Sequence, residues 1–383
     1  MAASNPFVYG EVVTAAAFAD REEERARLTH DLAEGQKVFL ISPRRYGKSS
    51  LIRDVMKGLA RQGVLTAEVT VAASSSYVGF LEAYARALLS AETPAGGLRR
   101  WAAELLNSVR PELRFDPQPA GQPRVTVTFP AVRSARDTAR LAAEVFALPG
   151  KIAAARKQRM AIALDEFQTI AAFDGTTVEH ALRAAVQEQR QVGYVFAGSE
   201  PSLMERMLTP RRPFYKAGPV VRLGKIDEGI FAAFIDAKFA ASGIRPEEGL
   251  GDAIVELAEN VPYDVQRLAH ETWDDVRVAG RKAAGLEDLH LTLGRLLTEQ
   301  HTMFEESWQR LTLAQRAVLR AIVLENGREI LSAGVRSRHR LPGASSVQSA
   351  LGALVKQDIV MKDQGRYLVN DSLYREWMAR QTL

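Results

Sequence analysis

The chain has 383 residues, 46% of them hydrophobic and 25% charged, an ordinary globular composition, and at about 150 residues per domain that length predicts two or three domains. No run approaches the ~18 apolar residues of a membrane-spanning helix, there is no cysteine for disulfides or thiolate metal sites, and the six histidines include no H-x-x-x-H pair. A net charge of +4 permits an anionic partner without requiring one.

The opening MAASNPFVYG has no basic stretch ahead of an apolar one, so export is not expected and a cytoplasmic location is. Residues 36 to 225 alternate short apolar runs with helix-length amphipathic stretches, the pattern of βα units around a parallel sheet. The first run, Val38 to Ile41, leads into Ser42-Pro43-Arg44-Arg45-Tyr46-Gly47-Lys48-Ser49-Ser50. A helical pattern follows through Leu51, Ile52, Val55 and Leu59 and closes at Gly63. A strand, a loop ending in Gly-Lys-Ser and a helix, in that order, are what a phosphate-binding loop requires. Its amides and the helix N-terminus face phosphate oxygens. Gly47 lets the backbone curl close, Lys48 reaches the β and γ oxygens, and the Ser49 hydroxyl ligates Mg²⁺. Residues Pro43, Arg44, Arg45, Tyr46, Gly47, Lys48, Ser49 and Ser50 are the candidate ATP contacts, although Ser42 stands where the pattern has its first glycine. The competing reading is a chance Gly-Lys-Ser at a helix start.

A second run spans Leu65 to Val71. Residues 91 to 150 read as an elaboration: a Pro/Gly-rich stretch, a β-like Val125 to Phe129, then a helical pattern to Phe146. The run Met160 to Leu164 ends in Asp165 and Glu166. Ligands of open α/β sheets lie at the carboxyl ends of the strands. Asp165 is therefore the candidate to organise Mg²⁺ with Ser49, and Glu166 to orient or deprotonate the water that attacks the γ-phosphate. Two charges at a solvated strand end are the alternative. The next run, Gly193 to Ala197, leads to Ser199, read either as a group between the acidic pair and the γ-phosphate or as a cap of the Pro201–Leu208 helix. Val220 to Leu223 is the last run.

After Gly224 the character changes. Residues 227 to 300 are helical almost throughout, with Phe231, Phe234, Ile235 and Phe239 at helix spacing. Thr312 then caps a helix carrying Val318, Leu319 and Ile322. Ser345-Ser346 opens another with Val347, Leu351 and Leu354. Ile359 to Met361 and Arg366 to Val369 form a hairpin around Lys362-Asp363-Gln364-Gly365. This is the order of a winged helix, so the expected units are an α/β core at 1–225, a helical lid at 226–300 and a winged helix at 301–383.

Together these motifs resemble the STAND class of bacterial and archaeal P-loop ATPases, relatives of AAA+ and Orc/Cdc6-type proteins. Asn5 to Gly10 and Phe18 to Glu24 are similar to the opening segment and its F-x-x-R-E-x-E box. The loop Ser42 to Leu51, Leu164-Asp165-Glu166-Phe167-Gln168, Gly198-Ser199 and Pro213-Phe214-Tyr215 resemble the loop and strand-end motifs. Asn260 to Tyr263 with Val265-Gln266 resembles the lid motif, and Ser345 to Gln348 with Tyr367 to Asp371 the winged-helix end. The resemblance implies an ATPase using ATP and Mg²⁺, an opening box near adenine, a nucleotide contact from Pro262, and a lid that moves between ATP and ADP states. Two of these positions depart from the pattern: Asn260 replaces the lid glycine, and Lys216 stands where relatives often carry arginine, with Arg211 and Arg212 read as nearby substitutes or as plain solvated charge; Arg267 on the lid helix reads as a second sensor or, more simply, as an exposed helical arginine.

In the end domain, Arg336, Arg338, His339 and Arg340 precede the second helix, and Lys356, Lys362 and Arg366 flank the wing. Cations there suit phosphate contacts with duplex DNA, while Ser345, Ser346, Gln348 and Ser349 face a groove and only Gln348 suits a base edge. The candidate nucleic-acid residues are Arg336, Arg338, Arg340, Ser346, Gln348 and Lys362; a protein partner is the competing reading. For the whole chain the expectation is an ATP-driven switch, with self-association in the ATP state by analogy. The alternatives are an adaptor with slow or no hydrolysis and a small-molecule kinase.

Overall fold

The structure is a computed structural model that describes residues 4–11, 18–91, 111–116, 124–130, 132, 134–363 and 365–382. The Pro/Gly-rich part of the elaboration, Gln364 of the wing and Leu383 lie outside these residues. Two compact units form, Val12–Gly224 and, in the other, Met1–Glu11 with Lys225–Leu383.

The α/β unit runs α1 (Glu22–Ala33), β1 (Lys37–Ile41), α2 (Lys48–Arg61), β2 (Leu65–Thr70), α3 (Tyr77–Ser90), β3 (Glu112–Asp116), β4 (Arg124–Thr128), α4 (Ala135–Arg156), β5 (Met160–Asp165), α5 (Ala171–Asp174), α6 (Thr176–Glu188), β6 (Val192–Gly198), α7 (Pro201–Met207) and β7 (Val220–Arg222). Five strands pair in parallel in the order β2-β5-β6-β1-β7. Their apolar runs follow from burial on both faces. Val38 and Leu40 of β1 join Leu51, Ile52, Val55 and Leu59 of α2 on one side. Phe39 and Ile41 pack on the other with Phe80 of α3 and Phe146 of α4. The chain leaves β1 for the edge strand β2, returns through β5 and β6, then crosses to β7 on the far side of β1. The carboxyl end of β1 thus lies where the winding reverses, the usual ligand crevice of such sheets.

The β-like stretch at 125–129 is strand β4, and its antiparallel partner is β3. The sequence pattern did not single out β3: Glu112-Leu113-Arg114-Phe115-Asp116 does alternate polar and apolar residues, but with only two apolar positions.

The second unit holds α8 (Glu228–Ala241), β8 (Arg245–Pro246), α9 (Leu250–Leu257), α10 (Pro262–Val278), β9 (Ala283–Ala284), α11 (Leu286–Glu299), α12 (His301–Gln309), α13 (Leu313–Leu324), α14 (Ala333–Arg338), α15 (Ala344–Lys356), β10 (Val360–Asp363), β11 (Arg366–Val369) and α16 (Ser372–Thr382). Pro262 opens α10 at a position whose amide has no intrahelical partner. Thr312 caps α13 with Gln315 in a reciprocal box, its hydroxyl accepting from the Gln315 amide at 3.3 Å. α15 begins at Ala344 behind Gly343, just ahead of the expected Ser345-Ser346. Val318, Leu319, Ile322, Val347, Leu351, Leu354 and Val369 are all buried, so the predicted faces form the winged-helix core. α16 fastens this domain to the helical segment: the Ser372 amide donates to buried Asp264 at 3.3 Å, and Arg375 pairs with Glu259 at 2.7 Å.

The opening residues belong with these helices. Phe7 is buried against Phe239, with ring centroids 4.9 Å apart. Asn5 Nδ2 donates to the His270 carbonyl at 3.0 Å and to Asp274 at 2.9 Å. His270 Nδ1 donates to the Phe7 carbonyl at 2.8 Å, and Tyr9 donates to Glu271 at 2.6 Å. The fold is therefore α/β with a five-stranded parallel sheet, a helical segment and a C-terminal winged helix. Among the described residues no helix is long and apolar enough to cross a membrane.

Candidate nucleotide site

The loop begins where β1 ends. Ser42 is fully buried, its amide donating to the Gly198 carbonyl of β6 at 3.2 Å and its hydroxyl to the Pro43 carbonyl at 2.9 Å. Its φ is not among the positive ones, so this position does not require glycine. Gly47 does: its φ of 85° lies in the left-handed region that L-residues avoid, and it is the residue from which α2 starts. Tyr46 and Lys48 are buried, Arg44 and Arg45 are exposed, Pro43 and Ser49 are half-buried, and Ser50 faces inward on the first turn of α2.

β6 separates β1 from β5, so three strand ends converge. Lys48 Nζ contacts Asp165 Oδ1 and lies 3.2 Å from Glu166 Oε1. Ser49 Oγ donates to Asp165 Oδ2 at 2.7 Å. Ser199, at the end of β6, donates to Glu166 Oε2 at 2.5 Å. Glu200, not Ser199, occupies the cap position of α7. The structure thus brings Lys48, Ser49, Asp165, Glu166 and Ser199 into one hydrogen-bonded cluster.

Glu166 leaves β5 in the left-handed region at φ 54° and turns the chain into the short 3₁₀ segment Phe167–Ile170. Gln168 of that segment donates to Glu166 Oε2 at 2.7 Å. Burial pushes the Glu166 carboxyl up, but the Ser199 hydroxyl, the Lys48 charge and the Gln168 amide outweigh it and hold the group below its ordinary range. Glu166 is therefore a carboxylate near neutral pH, the form that accepts a proton. Gln168 belongs to the Leu164-Asp165-Glu166-Phe167-Gln168 motif, and its place two residues after Glu166 is the sequence signal for this contact.

The donor set suits Mg²⁺. Among the described residues no cluster of three or more His, Asp, Glu or Cys is positioned to cage an ion. A hydroxyl and a carboxylate 2.7 Å apart beside the loop between β1 and α2 are the few protein oxygens Mg²⁺ takes when substrate phosphates and water supply the rest.

Two other predicted groups behave differently. Arg212 donates to Glu179 at 2.5 Å and is committed to that buried carboxyl, whereas Arg211 is exposed. Pro262 and Arg267 lie on α10 in the other unit. There Asn260 takes a left-handed φ of 55°, which asparagine tolerates, and donates to the Ile226 carbonyl at 2.7 Å.

In the winged helix, Ser346 and Gln348 are exposed on α15, Arg340 is exposed after α14, and Lys362 lies over the Tyr367 ring at 5.7 Å. Arg336 Nε donates to the Leu331 carbonyl at 3.2 Å. Arg338 and His339 Nε2 both meet Glu325 at 2.6 Å. One of the three candidate arginines therefore already has a carboxylate.

The family described as "Probable winged helix domain" matches residues 302–380. No curated protein matches the chain. Among solved structures, the chain is similar to a Walker-type ATPase of Pyrococcus abyssi, with a TM-score of 0.63 and 16% identity over 98% of this chain and 99% of that one. It is also similar to the Aeropyrum pernix ORC2 protein in ADPNP–ADP complexes, with a TM-score of 0.53 and 12% identity over 100% and 98% of the two chains. For the Aeropyrum pernix ORC1 protein in complex with DNA the TM-score is 0.51, with 14% identity over 94% and 92%. At these identities the likeness is one of fold, and it covers 94–100% of this chain.

Proposed function

We propose that the protein is a Mg²⁺-dependent, ATP-binding and ATP-hydrolysing switch of the STAND class, whose nucleotide state controls a winged helix that contacts duplex DNA. One observation carries the reading: Lys48 and Ser49 of a strand–loop–helix meet Asp165, Glu166 and Ser199 at the carboxyl ends of neighbouring parallel strands. Loop amides and Lys48 bind the triphosphate. Ser49 and Asp165 would hold Mg²⁺, which when bound neutralises charge on the β and γ oxygens. Glu166 orients water and accepts its proton. The water oxygen bonds to the γ-phosphorus, the bond to the β–γ bridging oxygen breaks, and ADP leaves with that electron pair. Ser199 keeps Glu166 aimed during this step and touches the same reacting group. The cycle takes place in the cytoplasm, and ATP-bound copies associate.

Equilibrium titration with ATP tests the binding half. Lys48→Ala removes a charge-assisted contact and should weaken ATP by about ten- to a hundredfold. Ser49→Ala should leave binding in EDTA unchanged and abolish the gain given by Mg²⁺. Wild-type affinity in Lys48→Ala would end the nucleotide reading. A second reading, a protein partner for the winged helix, is favoured by one observation: Glu325 offsets the positive charge of Arg338.

A further inference from the structure

Glu166 Oε2 accepts two hydrogen bonds, from Ser199 Oγ at 2.5 Å and from Gln168 Nε2 at 2.7 Å, whereas Oε1 faces Lys48 at 3.2 Å. Gln168 is only 5% exposed, and its amide has one workable sense, because an amide oxygen turned toward the carboxylate would be repelled. That sense leaves Gln168 Oε1 buried with no hydrogen-bond partner among the described residues. Buried acceptors left unpaired are costly, and they persist where another requirement fixes the geometry. The other side of the amide is bounded by β6: a Cβ on Gly198 would lie 2.6 Å from Gln168 Oε1 and would also run into the Met204 side chain. The strand that supplies Ser199 therefore has a glycine where the amide must lie.

We propose that Gln168 is a positioning residue for hydrolysis: its amide, seated in the space left by Gly198, pins Glu166 Oε2 so that Oε1 alone is presented to the attacking water. This rests on the ATPase reading above. Gln168 touches neither ATP nor water; it acts through Glu166, and Gly198 acts through Gln168.

Steady-state phosphate release by the full chain across ATP concentrations tests it. Gln168→Met keeps the length of the side chain and loses the donor; kcat should fall about ten- to a hundredfold, as for other supporting hydrogen bonds to reacting groups, with KM for ATP unchanged within about twofold. Gly198→Ala leaves residue 168 intact but crowds its amide, and should also lower kcat with KM retained. The double variant should lose less than the product of the single losses, since both changes displace one amide. Wild-type kcat in Gln168→Met, a loss carried by KM alone, or fully multiplicative losses would overturn the proposal while leaving the ATPase reading intact. Wild-type release no faster than that of Glu166→Gln would overturn the ATPase reading and this proposal with it.

Discussion

Two residues show how local physics fixes the α/β unit. Gly47 adopts φ 85° with open space around the position of a Cβ, so substitution there meets backbone strain and no collision. Gly47→Ala should cost about 1–2 kcal/mol, read in thermal melts, with weaker ATP binding because the loop amides turn with the residue. Glu179 has a fully buried side chain whose single hydrogen-bond partner among the described residues is Arg212. Burial pushes its carboxyl above the ordinary 4.5 despite the Arg212 charge. Removing the arginine strands that carboxylate, and Arg212→Ala should cost about 3–5 kcal/mol near neutral pH. Because the folded state keeps the Glu179 proton to higher pH than the unfolded chain does, the deficit should shrink as pH falls toward the raised folded value. Urea melts of the variant at pH 5 and pH 8 check this, and an equal deficit at both would contradict it. The sequence offers Arg212 as a substitute for an arginine finger or as plain solvated charge; its pairing with Glu179 is not legible there, because the partner lies 33 positions away.

Elements that make their own local pattern were legible, and those defined by distant partners were not. The run Val38 to Ile41 announced β1 because a strand buried on both faces must be apolar throughout, and the spacing of Leu51, Ile52, Val55 and Leu59 announced α2 for the same reason of burial. The opening segment gave no such sign. Its anchors, Phe239, Gln266, His270, Glu271 and Asp274, come from helices more than two hundred residues later. This strap meets a charged cluster on α10 and α11, where Arg295 pairs with Glu271 at 2.8 Å and with Asp275 at 3.1 Å. Burial pushes Glu271 up, but hydrogen bonds from Arg295 and Tyr9 outweigh it and lower its carboxyl from 4.5. A depressed folded value means that this stabilisation is present above pH 4.5 and is lost as pH falls through the folded value. Tyr9→Phe should cost about 1 kcal/mol at pH 7, and less as pH falls below the carboxylate range. A cost independent of pH would show that the Tyr9–Glu271 bond does not couple to ionisation.

The helical segment and the winged helix form one compact unit, bound through Asp264–Ser372 and Glu259–Arg375, so a change at the start of α10 has a short path to α16. If duplex DNA is the partner, each of Arg336→Glu, Arg338→Glu and Arg340→Glu should weaken binding and lower the salt slope by about one. Glu325→Gln, which releases Arg338, should tighten binding. No change in any of the four variants would favour a protein partner. The catalytic half of the account rests on a single chemical claim, that Glu166 activates water against ATP held at Lys48 and Ser49. The most direct measurement is phosphate release at saturating ATP and Mg²⁺ by the wild type and by Glu166→Gln, with ATP binding measured on both. The account predicts equal binding and a release rate at least about a hundredfold lower in the variant; equal release rates in the two proteins would contradict it.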